Sequence, residues 1–498
     1  MALAIFASPS SAAADTLITK AGTGVAGSVG DGSMAVLAQL NAPRGLARLA
    51  NGSLLVADTN SNRIRRIAPD GTISTAAGTG TAGSTGDGGP ALLAQVNSPR
   101  DVAVASDGVS YFIADTTGNR IRRVDAGGTI TTVAGIGVAG FAGDGGPATL
   151  ASLSAPTGVA VTGAGGVLIA DTTNSRVRLV SAGVITTVAG NGVAASTGDG
   201  GPANLASVNL PQDVSVSAGG AYLIADTSGH RIRRVDAGAT ISSVAGTGTA
   251  CAGTTGLCGD GGPAVIAQLN SPAAVAADAT GSGFLIADTG NHRARRVTAA
   301  GTISTLAGTG SACTATSLCG DTGPAALAAL NAPRGVLDLP DGSTLIADTG
   351  TNRLRARIPD SPQGSTDPQG PTGSQGPAGP PGPVGSPGPV GSPGPAGADA
   401  PASARGLAVA FTSSRLTSRA ARSARLRFVM TGPAVVRVRV ARRGSKVVVT
   451  RRATYRAGGR KRLSLGRLRP GTYAVTITAT NGAAHGVDRA TLRVRRRR

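Results

Sequence analysis

The sequence predicts an all-β chain: a six-bladed β-propeller closed by its N-terminal strand, then a glycine-periodic linker and a small C-terminal β-sandwich. Three observations predict it. The phrase "ADT" recurs with its Asp at 58, 115, 171, 226, 288 and 348, a spacing of 55 to 62 residues. Five residues after each Asp stands an Arg, at 63, 120, 176, 231, 293 and 353. Each unit also carries four short alternating or β-branched runs, and a period of this size marks a repeat architecture.

Within the first unit the runs are "RGLARL", "SLLVADT", "RIRRIA" and "TISTAA", separated by Asn51-Gly52, "NSN" and Asp70-Gly71. This is a four-stranded antiparallel meander with tight turns. Its first two strands carry almost no charge, as inner strands should, and the third is expected to point Arg outward and Ile or Val inward. Six such sheets around an axis make a propeller. The sixth unit stops after three strands, and the opening "DTLITKAG" matches the missing fourth. Residues 16–22 are therefore expected to pair on the outside of 353–358 and close the ring without a covalent link.

Between units runs a long connection such as "GTGTAGSTGDGGPALLAQVNSPR". Pro90 followed by Ala91, Leu92, Ala94 and Val96 predicts one or two helical turns. Asp31, Asp87, Asp144, Asp199, Asp260 and Asp321 precede these turns, where a carboxylate favours free N–H groups. Calcium is the sharper alternative, but one carboxylate among glycines falls short of the oxygens it needs.

The pattern "P-x-G-V-A-V…G-x-L-x-I-A-D-T-x-N-x-R-I-R-R-V" resembles the NHL repeat. The "GDGGPA" connections are similar to those of long-repeat secreted bacterial NHL proteins and, more loosely, of teneurins. The resemblance spans residues 15–359 and implies a six-bladed propeller serving as a binding platform. Some similar propellers are lyases or lactonases with His and carboxylates around an axial metal. Here His230 and His292 share one repeat position that other blades fill with Asn62, Asn119, Ser175 and Asn352, which marks a turn residue. No Glu occurs, and the residues suggest neither catalytic groups, nor a metal set, nor a cofactor motif.

Two connections are longer than the rest: twelve positions from Gly248 to Asp260 and eleven from Gly310 to Asp321, against seven elsewhere. Each carries a cysteine pair, Cys251 with Cys258 and Cys313 with Cys319. Insertion and pair arriving together predict loop-stapling disulfides in an oxidising compartment. Zinc is the alternative, although the spacings are wider than those of zinc ribbons.

After the repeat proline stand Arg44, Arg100, Thr157, Gln212, Ala273 and Arg334. Blades six, one and two are contiguous, so three arginines are expected on one side of the axial opening, where they suit an anionic partner. The competing expectation pairs each with Asp58, Asp115 or Asp348.

Residues 1–14, "MALAIFASPSSAAA", end in an Ala-x-Ala site and read as a signal peptide whose start is clipped or misassigned. No 18-residue apolar run follows, so no transmembrane segment is expected. In the 360–403 linker, Gly370 to Asp399 repeats glycine at every third position, a collagen-like segment that predicts either a homotrimer or a stiff monomeric spacer. Residues 404–498 show about seven β-like runs, with "VVRVRV" and "YAVTIT" alternating strictly, and resemble an immunoglobulin or fibronectin type III sandwich. Positions 401–498 hold 25 Lys plus Arg against one acid, which is +24; the remainder has 22 against 25, which is −3. The basic tail suits an anionic surface polymer, while the lack of Trp argues against specific nucleic-acid recognition. These readings converge on a secreted, non-catalytic binding or adhesion scaffold, its propeller head binding a protein or an anionic ligand through the loop-rich face and its basic tail associating with an anionic cell surface. The alternative is an extracellular lyase or lactonase with its site at the axial mouth.

Overall fold

A computed structural model describes residues 15–251, 258–278, 281–313 and 319–359, and strands between 409 and 495. The chain divides into two units, Met1–Gly364 and Ser365–Arg498. The signal-like residues 1–14 and the collagen-like segment 370–399 lie outside the described residues.

Among its described residues the first unit holds six antiparallel sheets, five of four strands and one, in blade one, with Ser33–Met34 added on the outside as a fifth. In blade one the order from axis to rim is Pro43–Arg48, Leu54–Asp58, Arg63–Ile67 and Thr72–Ala77, as the four runs predict. A hydrophobic cluster fills each seam between neighbouring blades; Leu55, Ile64, Val102 and Ile113 share one, and Leu40, Val56, Ile67 and Leu345 another. Both faces of every blade are therefore packed, and none faces water.

Blade six contains Gly335–Asp338, Thr344–Asp348 and Arg353–Ile358, and its outer strand is the N-terminal Thr16–Ala21. That strand runs antiparallel to the third, with Thr16 opposite Ile358 and Ala21 opposite Leu354. Its outer edge is covered as well: Leu17 N–H donates to Gly323 O at 3.0 Å and Ala325 N–H to Asp15 O at 2.7 Å. Arg357 Nε donates to Asp15 Oδ2 at 2.7 Å.

Three expectations need correction. The connections form single 3-10 turns such as Ala91–Leu93, and Pro90 stands before the turn in extended conformation. Bridges such as Pro90 with Thr129 lay the connection along a blade's outer strand and leave no length for a second turn. The "GD" aspartates make no side-chain cap bond on these turns. They bind instead the middle arginine of the third strand, Arg65, Arg122, Arg178, Arg233, Arg295 or Arg355, at 2.6 to 2.7 Å. Those six arginines do not point outward: they are at most 1% exposed. With neighbours on both faces, a side chain leaving the sheet enters a seam, and a seam arginine must be paired. The "ADT" aspartates supply the second carboxylate at 3.2 to 3.7 Å, and an outer-strand hydroxyl, such as Thr75 Oγ1 to Asp31 at 2.7 Å, completes each cluster.

Among the described residues of the second unit are two sheets. One orders Val409–Phe411, Ala424–Met430 and Gly459–Gly466; the other orders Arg415–Arg419, Ala484–Arg495, Gly471–Asn481, Ala434–Arg442 and Val447–Tyr455. Val436 and Val438 are buried and Arg437 between them is exposed. Arg415–Arg419, absent from the predicted runs, pairs in parallel with Ala484–Arg495.

Candidate functional site, the axial mouth

The innermost strands begin on the face that also carries the turns after "ADT" and the long connections. In blades one to three the strand opens with a register shift, between Pro43 and Leu46, Pro99 and Asp101, and Pro156 and Gly158. An extra residue in one strand re-aims its side chain; in blades two and three that residue is Arg100 or Thr157, and in blade one Arg44 lies in the shifted stretch.

Arg44, Arg100 and Arg334 come together there. Burial first, then the Arg334 and Arg100 charges, bring the Arg44 pKa down to about 9. Arg100 is lowered by burial, and Arg334 by burial and then by Arg100. The competing expectation, pairing with Asp58, Asp115 and Asp348, is not met: those carboxylates serve Arg65, Arg122 and Arg355. Among the described residues no carboxylate forms a salt bridge with the three mouth arginines. Arg334 Nη1 reaches Gln212 Oε1 at 3.4 Å, linking blades six and four across a narrow opening. Arg44 Nε and Arg100 Nε are buried without a hydrogen-bond partner.

Below the mouth lies a cavity of about 260 Å³ lined by the innermost strands of all six blades, including Arg100, Thr157, Gln212 and Arg334. Two further lining residues, Asp101 and Asp213, escaped the sequence reading. The signal was available: "PRDV" and "PQDV" carry Asp where the other blades carry Gly45, Gly158, Ala274 and Gly335. Burial raises the Asp101 pKa to about 7. Burial and then the Asp101 charge raise Asp213 well above the ordinary carboxylate value.

His230 and His292 are turn residues with a structural task. Both are left-handed, at φ 53° and 50°. Their Nδ1 atoms accept from Ser271 N–H at 3.0 Å and Ala332 N–H at 2.9 Å in the next blade. Asn62, Asn119 and Asn352 accept the equivalent bonds through Oδ1 at 2.9 Å, so the position requires a short acceptor that tolerates positive φ. Among the described residues no group of three or more His, Cys, Asp or Glu side chains is placed to hold a metal ion. No helix among them is long and apolar enough to cross a membrane. Disulfides join Cys251 to Cys258 and Cys313 to Cys319, with Cα atoms 5.9 and 5.8 Å apart, and both close connections on the mouth face.

A family model described as the Teneurin NHL domain matches residues 80–140. Mouse Teneurin-1 is 27% identical in an alignment of 289 residues that covers 49% of this chain and 10% of the relative. The chain thus aligns with about a tenth of the curated relatives it matches. Among solved structures, a protein of unknown function from Bacteroides thetaiotaomicron superposes with a TM-score of 0.50 at 16% identity, covering 69% of this chain and 76% of that one. A virginiamycin B lyase from Staphylococcus aureus covers 64% of this chain and 94% of its own at 13% identity, with a TM-score of 0.39. The chain carries a six-bladed β-propeller, similar over residues 80–140 to the Teneurin NHL domain.

Proposed function

We propose that this protein is a non-catalytic binding scaffold whose propeller takes an anionic ligand or an anionic group of a protein at the axial mouth. One observation carries the reading: three half-buried arginines from contiguous blades gather beside a cavity that Arg100 and Arg334 line, and among the described residues no carboxylate is paired to them. Gathered cations of this kind raise the energy of the empty site, and an incoming anion relieves it. Two disulfides support an oxidising, extracellular location. The basic second unit is read as an immunoglobulin-like or fibronectin-like sandwich that associates with an anionic cell-surface polymer, and the collagen-like segment as a spacer or trimeric stalk. The test is calorimetric titration of the full chain with acetate, succinate and inorganic phosphate. Binding that disappears in Arg44→Gln/Arg334→Gln supports the reading; equal binding by wild type and variant overturns it.

A second reading, an extracellular lyase-type or lactonase-type enzyme using the mouth, draws on Asp101 and Asp213, since carboxylates with raised pKa suit proton transfer. Turnover of a lactone panel that is lost in Asp101→Asn/Asp213→Asn would replace the first reading.

A further inference from the structure

Anion binding leaves Asp101 and Asp213 unexplained. Each follows a mouth residue, Arg100 or Gln212, and both line the cavity. Ring closure does not require them, because four sister blades carry Gly or Ala at this position. The blade before packs close against each strand, with a glycine at the point of approach. A Cβ on Gly45 would lie 2.1 Å from Asp101 Oδ1, and one on Gly158 would lie 3.0 Å from Asp213 Oδ1.

The blade after holds each carboxylate in place. Val159 N–H donates to Asp101 Oδ2 at 2.8 Å, and Val275 N–H to Asp213 Oδ2 at 2.9 Å. Val214 N–H adds a bond to Asp213 Oδ1 at 2.8 Å. A carboxylate offers about four acceptor positions, so both keep capacity for further donors. The charged groups around the pair are Arg100, Arg334 and Arg48, which line the same cavity, and Arg44 beside the first two. Among the described residues none of these forms an ion pair with either carboxylate. Val102, Val159, Val214, Val275 and Val336 make up much of the remaining wall. The cavity thus carries Arg100 and Arg334 together with Asp101 and Asp213 in its lining, with Arg44 beside the two arginines.

We propose that the channel takes a small free amino acid, its carboxylate among Arg44, Arg100 and Arg334 and its ammonium between Asp101 and Asp213. This rests on the anion-binding reading of the mouth and adds the second end of the ligand. Size agrees: at about 30 Å³ per water, a 260 Å³ cavity has room for roughly nine heavy atoms, enough for a small amino acid such as glycine or serine. Charge agrees as well. Asp101 and Asp213 disfavour ionisation because they are buried together, and an ammonium between them supplies the missing counter-charge. Binding therefore expels to solvent a proton that the empty pair holds at neutral pH.

The test titrates the full chain calorimetrically at pH 7, in two buffers of different ionisation enthalpy. The probes are glycine, β-alanine, 4-aminobutyrate and L-serine, each against its amine-free counterpart (acetate, propionate, butyrate, 3-hydroxypropionate). At least one amino acid should bind ten-fold or more tightly than its counterpart and with net proton release. Asp101→Asn/Asp213→Asn should erase that preference while still binding the plain carboxylate, which also shows that the variant is folded. Equal affinity within each pair, or carboxylates binding and amino acids not, overturns the inference and leaves the anion site standing. If no probe of either kind binds the wild type, the anion-binding reading falls with it.

Discussion

Replacing Leu17 by alanine tests the non-covalent closure of the ring at a single side chain. Leu17 is 0% exposed and packs in the seam between blades five and six with Ala325, Leu330, Val336 and Ile346. A buried Leu→Ala change costs about 2–5 kcal/mol, from lost transfer energy and the cavity left behind. With an unfolding entropy of about 2.1 cal/mol/K per residue over a propeller of this length, that is a fall in Tm of roughly 3–7 °C. Lys20, exposed on the same strand, is the control, and Lys20→Ala should stay within about 0.5 kcal/mol. Removing residues 15–22 goes further. It deletes Leu17 and Ala21, the ladder to Arg353–Ile358, the Arg357 bond to Asp15 and the Thr19 Oγ1 bond to Asp321 Oδ2 at 2.5 Å. That loss is of the order of a whole domain's stability, about 5–15 kcal/mol, and the peptide TLITKAG added in trans should recover part of it. Calorimetric melting of the full-length variants is the assay. Should Leu17→Ala melt within a degree of Lys20→Ala, the N-terminal strand does not hold blade six together and the closure argument fails.

Other outcomes follow from the same geometry. Arg178→Met should destabilise by about 3–5 kcal/mol in urea unfolding, because it leaves Asp171 buried and uncompensated; a neutral effect would show that the seam clusters tolerate an unpaired carboxylate. Arg44→Gln should raise the Tm of the unliganded protein, by about 0.5–2 kcal/mol equivalent, since it removes one of three mutually repelling cations; a fall would mean that the arginine packs more than it repels. Stability should also depend on pH. The Asp101 pKa is raised to about 7 by burial, so the native state binds more protons than the unfolded one between about pH 4 and 7. Its contribution is present below the unfolded pKa and lost as pH rises through 7. Asp58 and Asp115, raised by burial to about 6, act in the same direction. Melting at pH 5.5 and pH 8 should therefore show a smaller difference in Asp101→Asn than in wild type, and an unchanged difference would refute the sign. Finally, thiol titration of the unreduced protein should find none of Cys251, Cys258, Cys313 and Cys319 free, and reduction should increase proteolysis of the two stapled connections.

Whatever repeats locally is legible along the chain. Invariant spacing from "ADT" to the following arginine gave the strands and their order, and a sixth unit one strand short, beside an unclaimed "TLITKAG", gave the closure. Paired cysteines confined to the two lengthened connections gave the disulfides, because ring size is a property of the chain. Which charge meets which is settled by packing in three dimensions. Arg65 and its five counterparts alternate as water-facing residues would, yet a propeller packs both faces of each blade, and alternation along one strand carries no information about the opposite neighbour. Asp31 and its counterparts reach those arginines from connections 34 to 35 residues away in sequence. That left Arg44, Arg100 and Arg334 without the partners the sequence offered them. Asp101 and Asp213 show the same limit: each is one letter in an otherwise uniform repeat, and their coupling exists because the ring turns the innermost strands of blades two and four toward one axis.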